Sequence, residues 1–293
     1  MVSLSVANEV GSLPVGCQLY LPLEWAEDAE RRKRAGVPES IKFMTKGQLA
    51  RSLITNALEA GVEPGPVLAD AAYGDEAEWR DWLSKRHLTY GLGIRLGTKV
   101  WWGSHQPARD PVPNRFGRAR VRLVRDETHQ PISVQELAFA LPAQSFRNIS
   151  WREGEAGPLS SRFARVRVRA AHDNQPREEE WLVIEWPKGE AEPTRYWLSN
   201  LPKEIKFGAL VKTLKARWQI ERDYQELKQE LGMGHYEGRN WRGFHHHLSL
   251  CIAAYGFLML ERIKYFKKKS ARFKEPALPE GFRPRGTPAN AAA

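Results

Sequence analysis

Two carboxylates, Asp70 and Glu221, are the strongest candidates for catalysis in this sequence. Asp70 ends a short apolar run, VLAD, that is typical of a buried strand, and α/β sheets place functional groups at the carboxyl ends of strands. Glu221 lies in a helical segment, 214–231. If the two residues converge at one sheet edge, their oxygens suit Mg²⁺ or Mn²⁺. Two such ions assist an in-line phosphoryl displacement, and a third carboxylate is normally needed to hold them.

Each carboxylate also has an ordinary structural interpretation. Asp70 could cap a turn, although Asp75 stands just before the next helical residues and is the better N-cap, which favours function for Asp70. At about 100° per residue, Arg217, Glu221 and Lys228 share one flank of the apolar stripe of their helix. Arg217 and Glu221 are therefore either part of a site or an i,i+4 ion pair that contributes roughly a few tenths of a kcal/mol.

The elements that must position these residues alternate between strands and helices in the first third of the chain. Alternating apolar residues predict a β-hairpin and later strands, and helical periodicity predicts the segments between them. The expected elements are a hairpin in 1–22, helices in 25–36, 46–60 and 75–87, and strands in 67–70 and 90–95. This order is typical of an α/β layer.

The middle of the chain, 97–203, is rich in Gly, Pro, Trp and Arg, and we expect an inserted, mainly β subdomain there. Two segments in it, RFGRARVR (115–122) and RFARVRVR (162–169), are identical at six of eight positions. Arg alternates with Ala or Val in each, which gives a strand one basic face. These arginines either lie on solvated edge strands, where charge opposes aggregation, or contact a DNA backbone.

From residue 204 the sequence is mainly helical. Its most apolar run, 248–260, is too short to cross a bilayer and is expected to be a buried core helix. A basic, Pro-rich tail with the composition of a disordered segment follows. The predicted division of the chain is 1–96 as the first part of the core, 97–203 as the insert, 204–266 as the C-terminal helical part of the core, and 267–293 as the tail.

The charge balance favours a polyanionic partner. The 293 residues include 45 Lys and Arg against 35 Asp and Glu, a net charge of +10 at pH 7 with neutral His. Clustered cations gain affinity for phosphates by releasing counterions, so nucleic acid is the first candidate. The two cysteines are far apart and offer no disulfide framework, which fits a reducing cytoplasm. The sequence has no Gly-rich nucleotide loop, and we expect no nucleotide cofactor and no membrane span.

Several segments carry a resemblance to a known family. They are "LYLPLEWAEDAERRKRAGVPE" (19–39), "VLADAAYGD" (67–75), "WREGEAGPLSSRFARVRVRAAH" (151–172), "YWLSNLP" (196–202) and "WQIERDYQELKQELGMGHYEGRNWRGFHHHLSLCIAAYGFL" (218–258). Together they resemble the DDE transposases of bacterial insertion sequences, and more narrowly the group named after insertion sequence 701. The resemblance covers nearly the whole chain up to about residue 265.

The resemblance implies a fold, an activity and partners. The expected fold is an α/β, ribonuclease-H-like core with an inserted mainly β subdomain and a C-terminal helical segment. The expected activity is cleavage and strand transfer of DNA at transposon ends by an Asp-Asp-Glu triad that binds Mg²⁺ or Mn²⁺. The implied partners are terminal inverted repeats, target DNA and a second copy of the chain in a synaptic complex. The bacterial cytoplasm, at the nucleoid, is the implied location.

The same resemblance assigns individual residues. Asp70 matches the second Asp of the triad and Glu221 its Glu. The family's Tyr-x₂-Arg-x₃-Glu-x₆-Lys signature implies that Arg217 and Lys228 contact transposon-end phosphates, whereas Leu214 stands at the Tyr position and leaves that role unfilled. Relatives with this signature stack a flipped base on a Trp of the insert. The candidates here are Trp101, Trp102 and Trp151.

The first Asp of the triad has no match in this chain. The family carries it on a strand that precedes the hairpin, and no Asp precedes Asp28, which lies in a charged helix. We therefore expect an N-terminally truncated transposase that lacks the first core strand and does not cleave DNA by itself. The alternatives are a catalytically inactive DNA-binding remnant and a metal-independent basic scaffold protein.

The segment before the last helix adds weaker candidates. Arg239 and Arg242 either reach DNA phosphates or lie in a solvated loop. The three consecutive histidines, 245–247, spread around a helix and cannot all bind one metal ion. We expect them to serve in packing at the helix start and in DNA-facing polarity.

Overall fold

The computed structural model describes residues 1–8, 10–104, 129–154, 157–172 and 177–272, with side chains as far as residue 265. The strands are β1 (Val2–Ala7), β2 (Ser12–Gln18), β3 (Val67–Ala69), β4 (Tyr90–Ile94), β5 (Lys99–Trp101), β6 (Ile132–Ser133), β7 (Arg147–Gly154), β8 (Gly157–Ala170), β9 (Glu179–Glu185) and β10 (Arg195–Ser199). The α-helices are α1 (Leu23–Glu27), α2 (Ala29–Ala35), α3 (Lys46–Glu59), α4 (Ala71–Gly74), α5 (Ala77–Lys85), α6 (Val134–Ala140), α7 (Phe207–Lys215), α8 (Trp218–Gln229) and α9 (Trp241–Arg272).

The N-terminal hairpin is a two-stranded antiparallel sheet of β1 and β2, as its alternating pattern predicts. It packs on α3, where Val2 meets Leu49 and Leu53. A capping box fixes the start of α3, because Thr45 accepts the Gln48 backbone N–H and the Gln48 side chain accepts the Thr45 N–H. The hairpin and α3 therefore form one packed unit.

The charged segment 25–36, predicted as one helix, is two short helices. Asp28 ends α1 and caps α2, where its side chain accepts the backbone N–H of Arg31. An Asp at an N-cap satisfies a backbone donor that the helix leaves unpaired, so a new helix starts there. Gly36, with a left-handed φ of 64°, ends α2.

The second sheet contains eight strands in the described part of the chain. Its order is β3-β4-β10-β9-β8-β5-β6, and β7 pairs with β8. The β3 and β4 strands are parallel, and the other pairs are antiparallel. Because β10 pairs with β4, the strands of 97–203 continue the sheet that β3 and β4 begin. Residue 97, the predicted start of the insert, lies between β4 and β5 of this one sheet.

Helix α3 links the hairpin to the edge of the large sheet. Leu4 of β1 and Val67 of β3 both pack into one apolar cluster with Ile54 of α3. Among the described residues, β1 pairs only with β2 and β3 pairs only with β4. Each of these two strands thus has one edge without a strand partner in the described ranges.

The C-terminal helices cover one face of the sheet and the hairpin. Leu210 and Leu214 of α7 pack with Trp197 of β10, and Leu227 of α8 packs with Tyr255 of α9. None of the described helices is long and apolar enough to cross a membrane.

Helix α9 differs from its prediction in two ways. The run 248–260 is not a fully buried core helix, because Leu250 and Phe257 are 58% and 62% exposed. The helix also extends to Arg272, so the first residues of the predicted tail 267–293 are helical. The remainder of that tail, 273–293, lies outside the described residues.

Candidate active site

Asp70 follows β3 directly and forms the N-cap of the short helix α4. Its Oδ1 accepts the backbone N–H of Ala72 at 3.0 Å. The capping interpretation of Asp70 is therefore correct, and the expectation that Asp75 caps the next helix is wrong. The Asp75 carboxylate instead accepts the backbone N–H of Arg95 at 2.9 Å and the Thr98 hydroxyl at 3.2 Å. Asp70 nevertheless lies at the carboxyl end of a sheet strand and is exposed.

Two glycines allow α4 to lie against β4. A methyl group built on Gly74 would lie 1.8 Å from the carbonyl oxygen of Gly93. A methyl group on Gly93 would in turn lie 3.4 Å from the carbonyl carbon of Asp70. Because neither position carries a side chain, the backbone of Asp70 lies close to the neighbouring strand β4. This packing fixes the position of the Asp70 backbone, from which the carboxylate extends.

Glu221 lies in the first turn of α8 and points largely into solvent, with 64% of its side chain exposed. Its Oε1 accepts a hydrogen bond of 2.6 Å from Nη2 of Arg217. The predicted i,i+4 ion pair is thus present, and at this exposure it contributes little to stability. The prediction that Glu221 lies beside the core is wrong. Glu226 is the less exposed of the two glutamates and pairs with both Arg222 and Arg262.

Tyr73 lies on the short helix α4 that follows Asp70. Burial is the main cause that raises the pKa of this half-buried tyrosine. The acidic groups that raise it further are Asp70, Tyr224 and Glu76. Tyr73 and Leu4 of β1 pack against the same apolar cluster. The hydroxyls of Tyr224 on α8 and Ser3 on β1 are hydrogen-bonded. Strand β1 thus lies next to both α4, which follows Asp70, and α8, which contains Glu221.

The chemistry of these side chains fits a hard divalent cation, but their number is small. Carboxylate oxygens are the ligands that Mg²⁺ and Mn²⁺ prefer. In the ranges that the structure describes, no three or more His, Cys, Asp or Glu side chains are grouped so as to hold a metal ion. Asp70 and Glu221 therefore do not belong to such a group among the described residues.

A comparison with protein families matches residues 1–158 to the family described as DDE superfamily endonuclease. The chain belongs to the DDE superfamily of endonucleases. The matched range contains Asp70 at the end of β3 and stops before Glu221. A search of curated proteins found no match. This superfamily acts on DNA and generally uses divalent metal ions, so the protein has a transposase-like nuclease domain.

Asp223 is a residue of this endonuclease that the sequence reasoning missed. It lies on α8 and is 1% exposed, and its Oδ1 accepts hydrogen bonds from the Ser12 hydroxyl at 2.5 Å and the Tyr255 hydroxyl at 2.9 Å. Burial raises the pKa of Asp223 above that of an exposed Asp. The sequence indicates this burial only through helical spacing. Asp223 stands three residues after Ile220 and four before Leu227, on the core-facing side of the helix.

The predicted DNA contacts of the endonuclease occupy two places. Arg217 is the N-cap residue of α8 and is hydrogen-bonded to Glu221. Lys228 lies in the last turn of α8, where its ammonium is 5.8 Å from the Tyr224 ring centre. Arg239 lies in the exposed loop before α9. Arg239 therefore lies on a different element from Arg217 and Lys228.

The loop that carries Arg239 lies against the end of α2. A methyl group on Gly36, which ends α2, would lie 3.2 Å from the side-chain nitrogen of Asn240. Asn240 in turn accepts the backbone N–H of Arg242 at 2.9 Å at the start of α9. The exposed cations on both sides of this contact form what we call the α2/α9 basic surface: Lys33, Arg34, Arg239 and Arg242.

The arginine-alternating segment 162–169 belongs to β8, which pairs with β5, β7 and β9. It is therefore an interior strand of the sheet, and the interpretation as a solvated edge strand is wrong for this segment. The similar segment 115–122 lies outside the described residues.

The arginines of β8 are bound within the endonuclease itself. Arg165 donates to the Ile205 carbonyl at 2.7 Å, and its guanidinium lies 4.5 Å from the Trp181 ring centre. Arg167 lies over the same ring at 4.8 Å. Arg169 donates to a backbone carbonyl at 2.6 Å. The guanidinium groups of these arginines are therefore engaged in contacts within the protein.

The three candidate tryptophans are packed into the protein to different degrees. Trp101 is buried in the sheet at 2% exposure, and Trp102 packs against an apolar cluster. Trp151 meets the Phe163 ring edge to face at 5.7 Å and lies 4.3 Å from the Lys215 ammonium. In this structure, stacking of a flipped base on Trp101 would require it to leave the core.

Proposed function

We propose that this endonuclease is the transposase of a bacterial insertion sequence of the insertion sequence 701-like group, with a ribonuclease-H-like core. The activity of such a transposase is cleavage of DNA at the terminal inverted repeats and joining of the ends to target DNA by phosphoryl transfer. Asp70 and Glu221 supply two of the three carboxylates that this activity requires. Membership of the DDE superfamily supports nuclease chemistry on DNA. The observation that carries the proposal is that α4 and α8 both lie next to β1. Helix α4, which follows Asp70, packs against the same apolar cluster as β1, and α8, which contains Glu221, is hydrogen-bonded to β1 through Tyr224 and Ser3.

In this proposal Asp70 and Glu221 are ligands of Mg²⁺ or Mn²⁺. When bound, such ions stabilise the attacking and leaving oxygens of an in-line displacement. Arg217 holds the Glu221 carboxylate by its 2.6 Å hydrogen bond and retains further N–H donors for a phosphate of the transposon end. Lys228 is exposed on the same helix and supplies a second cation.

The α2/α9 basic surface is the proposed contact for the DNA that flanks the cleaved bond. Its four cations lie on two elements that touch at Gly36 and Asn240. Phosphate contacts of this kind position a duplex without reading its sequence. Two copies of the protein would bind the two transposon ends, and the nucleoid is the proposed place of action.

A second candidate function is DNA binding without cleavage, as in a catalytically inactive remnant of a transposase. The observation that favours it is that both carboxylates already have structural partners. Asp70 caps α4, and Glu221 pairs with Arg217. This candidate keeps the basic surface and its salt-dependent affinity for DNA.

The test of these two functions uses a labelled duplex that carries the terminal repeats flanking the gene, with Mg²⁺ or Mn²⁺. Cutting that is lost in Asp70→Ala and Glu221→Ala supports the transposase and refutes the expectation that this chain does not cleave DNA by itself. The matched control is Glu230→Ala, which removes an exposed carboxylate from the C-terminal end of α8 and should leave cutting unchanged. Binding without cutting supports the inactive alternative, and no binding at low salt contradicts both.

A further inference from the structure

A cavity of about 530 Å³ lies beside the end of α4, apart from the two candidate metal ligands. Its volume is within the range of pockets that hold small organic ligands. The lining includes three cations, Arg80, Arg95 and Lys99, and one carboxylate, Asp75, when His172 is counted as neutral. A concave surface with a surplus of cations attracts anions, so the lining indicates an anionic ligand.

The cavity lies at the edge of the sheet that carries Asp70. Strands β3 and β4 are parallel, so their carboxyl ends lie at the same edge. Asp70 follows β3, and the loop 95–98, which lines the cavity, follows β4. Sheets of α/β proteins bind ligands outside the carboxyl ends of their strands. The cavity is therefore in a position where such a sheet binds ligands.

Asp75, the C-cap residue of α4, holds the loop 95–98 in place. Its carboxylate accepts the backbone N–H of Arg95 at 2.9 Å and the Thr98 hydroxyl at 3.2 Å. The Thr98 backbone N–H donates to the Arg95 carbonyl at 3.1 Å, which closes the loop into a turn. This wall of the cavity is thus preorganised, which reduces the entropy lost when a ligand binds.

Two side chains of this wall retain hydrogen-bond donors for a ligand. Arg95 is 78% exposed and pairs with Asp75 through Nε at 3.1 Å, a contact that leaves its Nη donors for an anion. Lys99 donates to Glu136 at 3.2 Å in an exposed, weak pair, and this contact uses one of its three donors. Because Arg95 neutralises the Asp75 carboxylate, that acid does not repel an anion in the cavity.

We propose that this cavity binds a phosphate monoester whose organic group has the size of a nucleoside. A monoester carries a charge of about −1.5 to −2 at pH 7, more than a backbone diester, and the surplus of cations favours the larger charge. Guanidinium and ammonium donors suit phosphate oxygens. The cavity is larger than a phosphate, and Leu96 and the buried Ala170 supply apolar wall for the organic group.

Two kinds of molecule carry this chemistry, a free nucleoside 5′-monophosphate and the 5′-phosphorylated end of a DNA strand. The interior of a duplex offers only diesters and is too wide for the cavity. The absent Gly-rich loop is no obstacle, because the side chains of Arg95 and Lys99 supply the donors. Binding requires neither a metal ion nor DNA cleavage, so the proposal is tested separately from the proposed function.

The first test is isothermal titration calorimetry of the unmodified full chain with thymidine 5′-monophosphate at low salt, without added metal. We expect saturable binding that thymidine does not show. The combined variant Arg95→Ala and Lys99→Ala should raise the dissociation constant at least about tenfold, because each removes a charged hydrogen bond. The matched control, Lys206→Ala with Lys212→Ala, removes two exposed cations at α7 and should leave binding unchanged. Circular dichroism verifies the folding of both variants.

The second test uses the unsubstituted chain and so does not depend on the folding of a variant. Lysine acetylation by acetic anhydride, mapped by mass spectrometry, reports which ammonium groups a ligand covers. Thymidine 5′-monophosphate should slow acetylation of Lys99 at least about threefold and leave that of Lys212 unchanged. Equal rates at Lys99 with and without the ligand would place any binding elsewhere and overturn the proposal.

The third test identifies the source of the phosphate with a single-stranded thymidine tetramer that ends in either a 5′-phosphate or a 5′-hydroxyl. At least about tenfold tighter binding of the phosphorylated tetramer supports a strand end as the ligand. Binding of the mononucleotide without this gain supports a free nucleotide. If the mononucleotide does not bind and the tetramer gains nothing, the proposal is wrong. It is also wrong if both combined variants lose equal affinity, because the anion then binds exposed cations in general.

Discussion

The hydroxyl of Tyr255 donates a 2.9 Å hydrogen bond to the buried carboxylate of Asp223, which joins the two C-terminal helices. The Ser12 hydroxyl donates to the same oxygen from β2. Glu221 stands two positions before Asp223 on α8, so these contacts hold the candidate catalytic helix against both the hairpin and α9. Asp223 is therefore central to the position of Glu221 without being exposed to a substrate.

Replacement of Asp223 by Ala should lower the free energy of unfolding by about 2–3 kcal/mol, because it leaves two buried hydroxyls without an acceptor. Tyr255→Phe removes one donor and should cost about 1 kcal/mol. Urea denaturation followed by circular dichroism measures both. Glu230→Ala, at the exposed end of the same helix, is the control and should stay within about 0.5 kcal/mol of the parent. If Asp223→Ala is as stable as this control, the Asp223 carboxylate does not stabilise the fold by accepting these two hydrogen bonds.

The pH dependence of stability should also report Asp223. Burial raises its pKa in the folded chain, so the folded chain keeps this proton to a higher pH than the unfolded chain does. Its contribution to stability is then fully present below the usual Asp pKa and declines as pH rises through the raised pKa. Asp223→Asn removes this decline. As pH rises, the free energy of unfolding of Asp223→Asn, measured by denaturation at a series of pH values, should increase relative to that of the parent. A difference between the two that does not change with pH would refute the raised pKa.

The approach of α4 to β4 makes Gly74 sensitive to substitution. A methyl group there would meet the Gly93 carbonyl oxygen at 1.8 Å, so Gly74→Ala must shift one of the two backbones. We expect a loss of about 2–3 kcal/mol in thermal unfolding. Gly65→Ala is the matched control, because a methyl group at Gly65 meets no atom within 4 Å. If both variants melt like the parent, the close packing below Asp70 is wrong.

The α2/α9 basic surface should contribute measurably to DNA affinity. The combined variant Lys33→Ala, Arg34→Ala and Arg239→Ala should weaken duplex binding and reduce the slope of log K against log salt by about 0.9 for each phosphate that it no longer neutralises. Fluorescence anisotropy at several salt concentrations measures the slope. Lys188→Ala, at an exposed lysine after β9, is the control. An unchanged slope in the combined variant would remove this surface from the DNA interface.

The sequence predicted the secondary-structure elements that depend on neighbouring residues in the chain. The hairpin of β1 and β2, the helix α3 and the strands β3 and β4 follow from apolar periodicity and from turn and cap residues. The position of Asp70 after a strand follows from the same signals. The family resemblance agrees with membership of the DDE superfamily, which the match over residues 1–158 shows.

The features that the sequence could not predict depend on distant contacts. Asp223 reads as one more polar residue of a charged helix until Ser12 and Tyr255 surround it. In the sequence Asp75 stands where a helix cap is expected, but its carboxylate accepts hydrogen bonds from Arg95 and Thr98 of a different segment. The continuity of the sheet through β4 and β10 likewise joins residues about a hundred positions apart, and no local pattern encodes that pairing.

Iron-directed cleavage of the polypeptide tests the central claim, that Asp70 and Glu221 belong to one metal-binding site. Fe²⁺ bound in place of Mg²⁺ produces hydroxyl radicals with ascorbate and peroxide, and these cut the backbone near the ion. We predict cuts near both residues that excess Mg²⁺ suppresses, that Asp70→Ala and Glu221→Ala each abolish, and that Glu230→Ala preserves. Cuts at only one of the two segments, or cuts that neither substitution affects, would contradict the account.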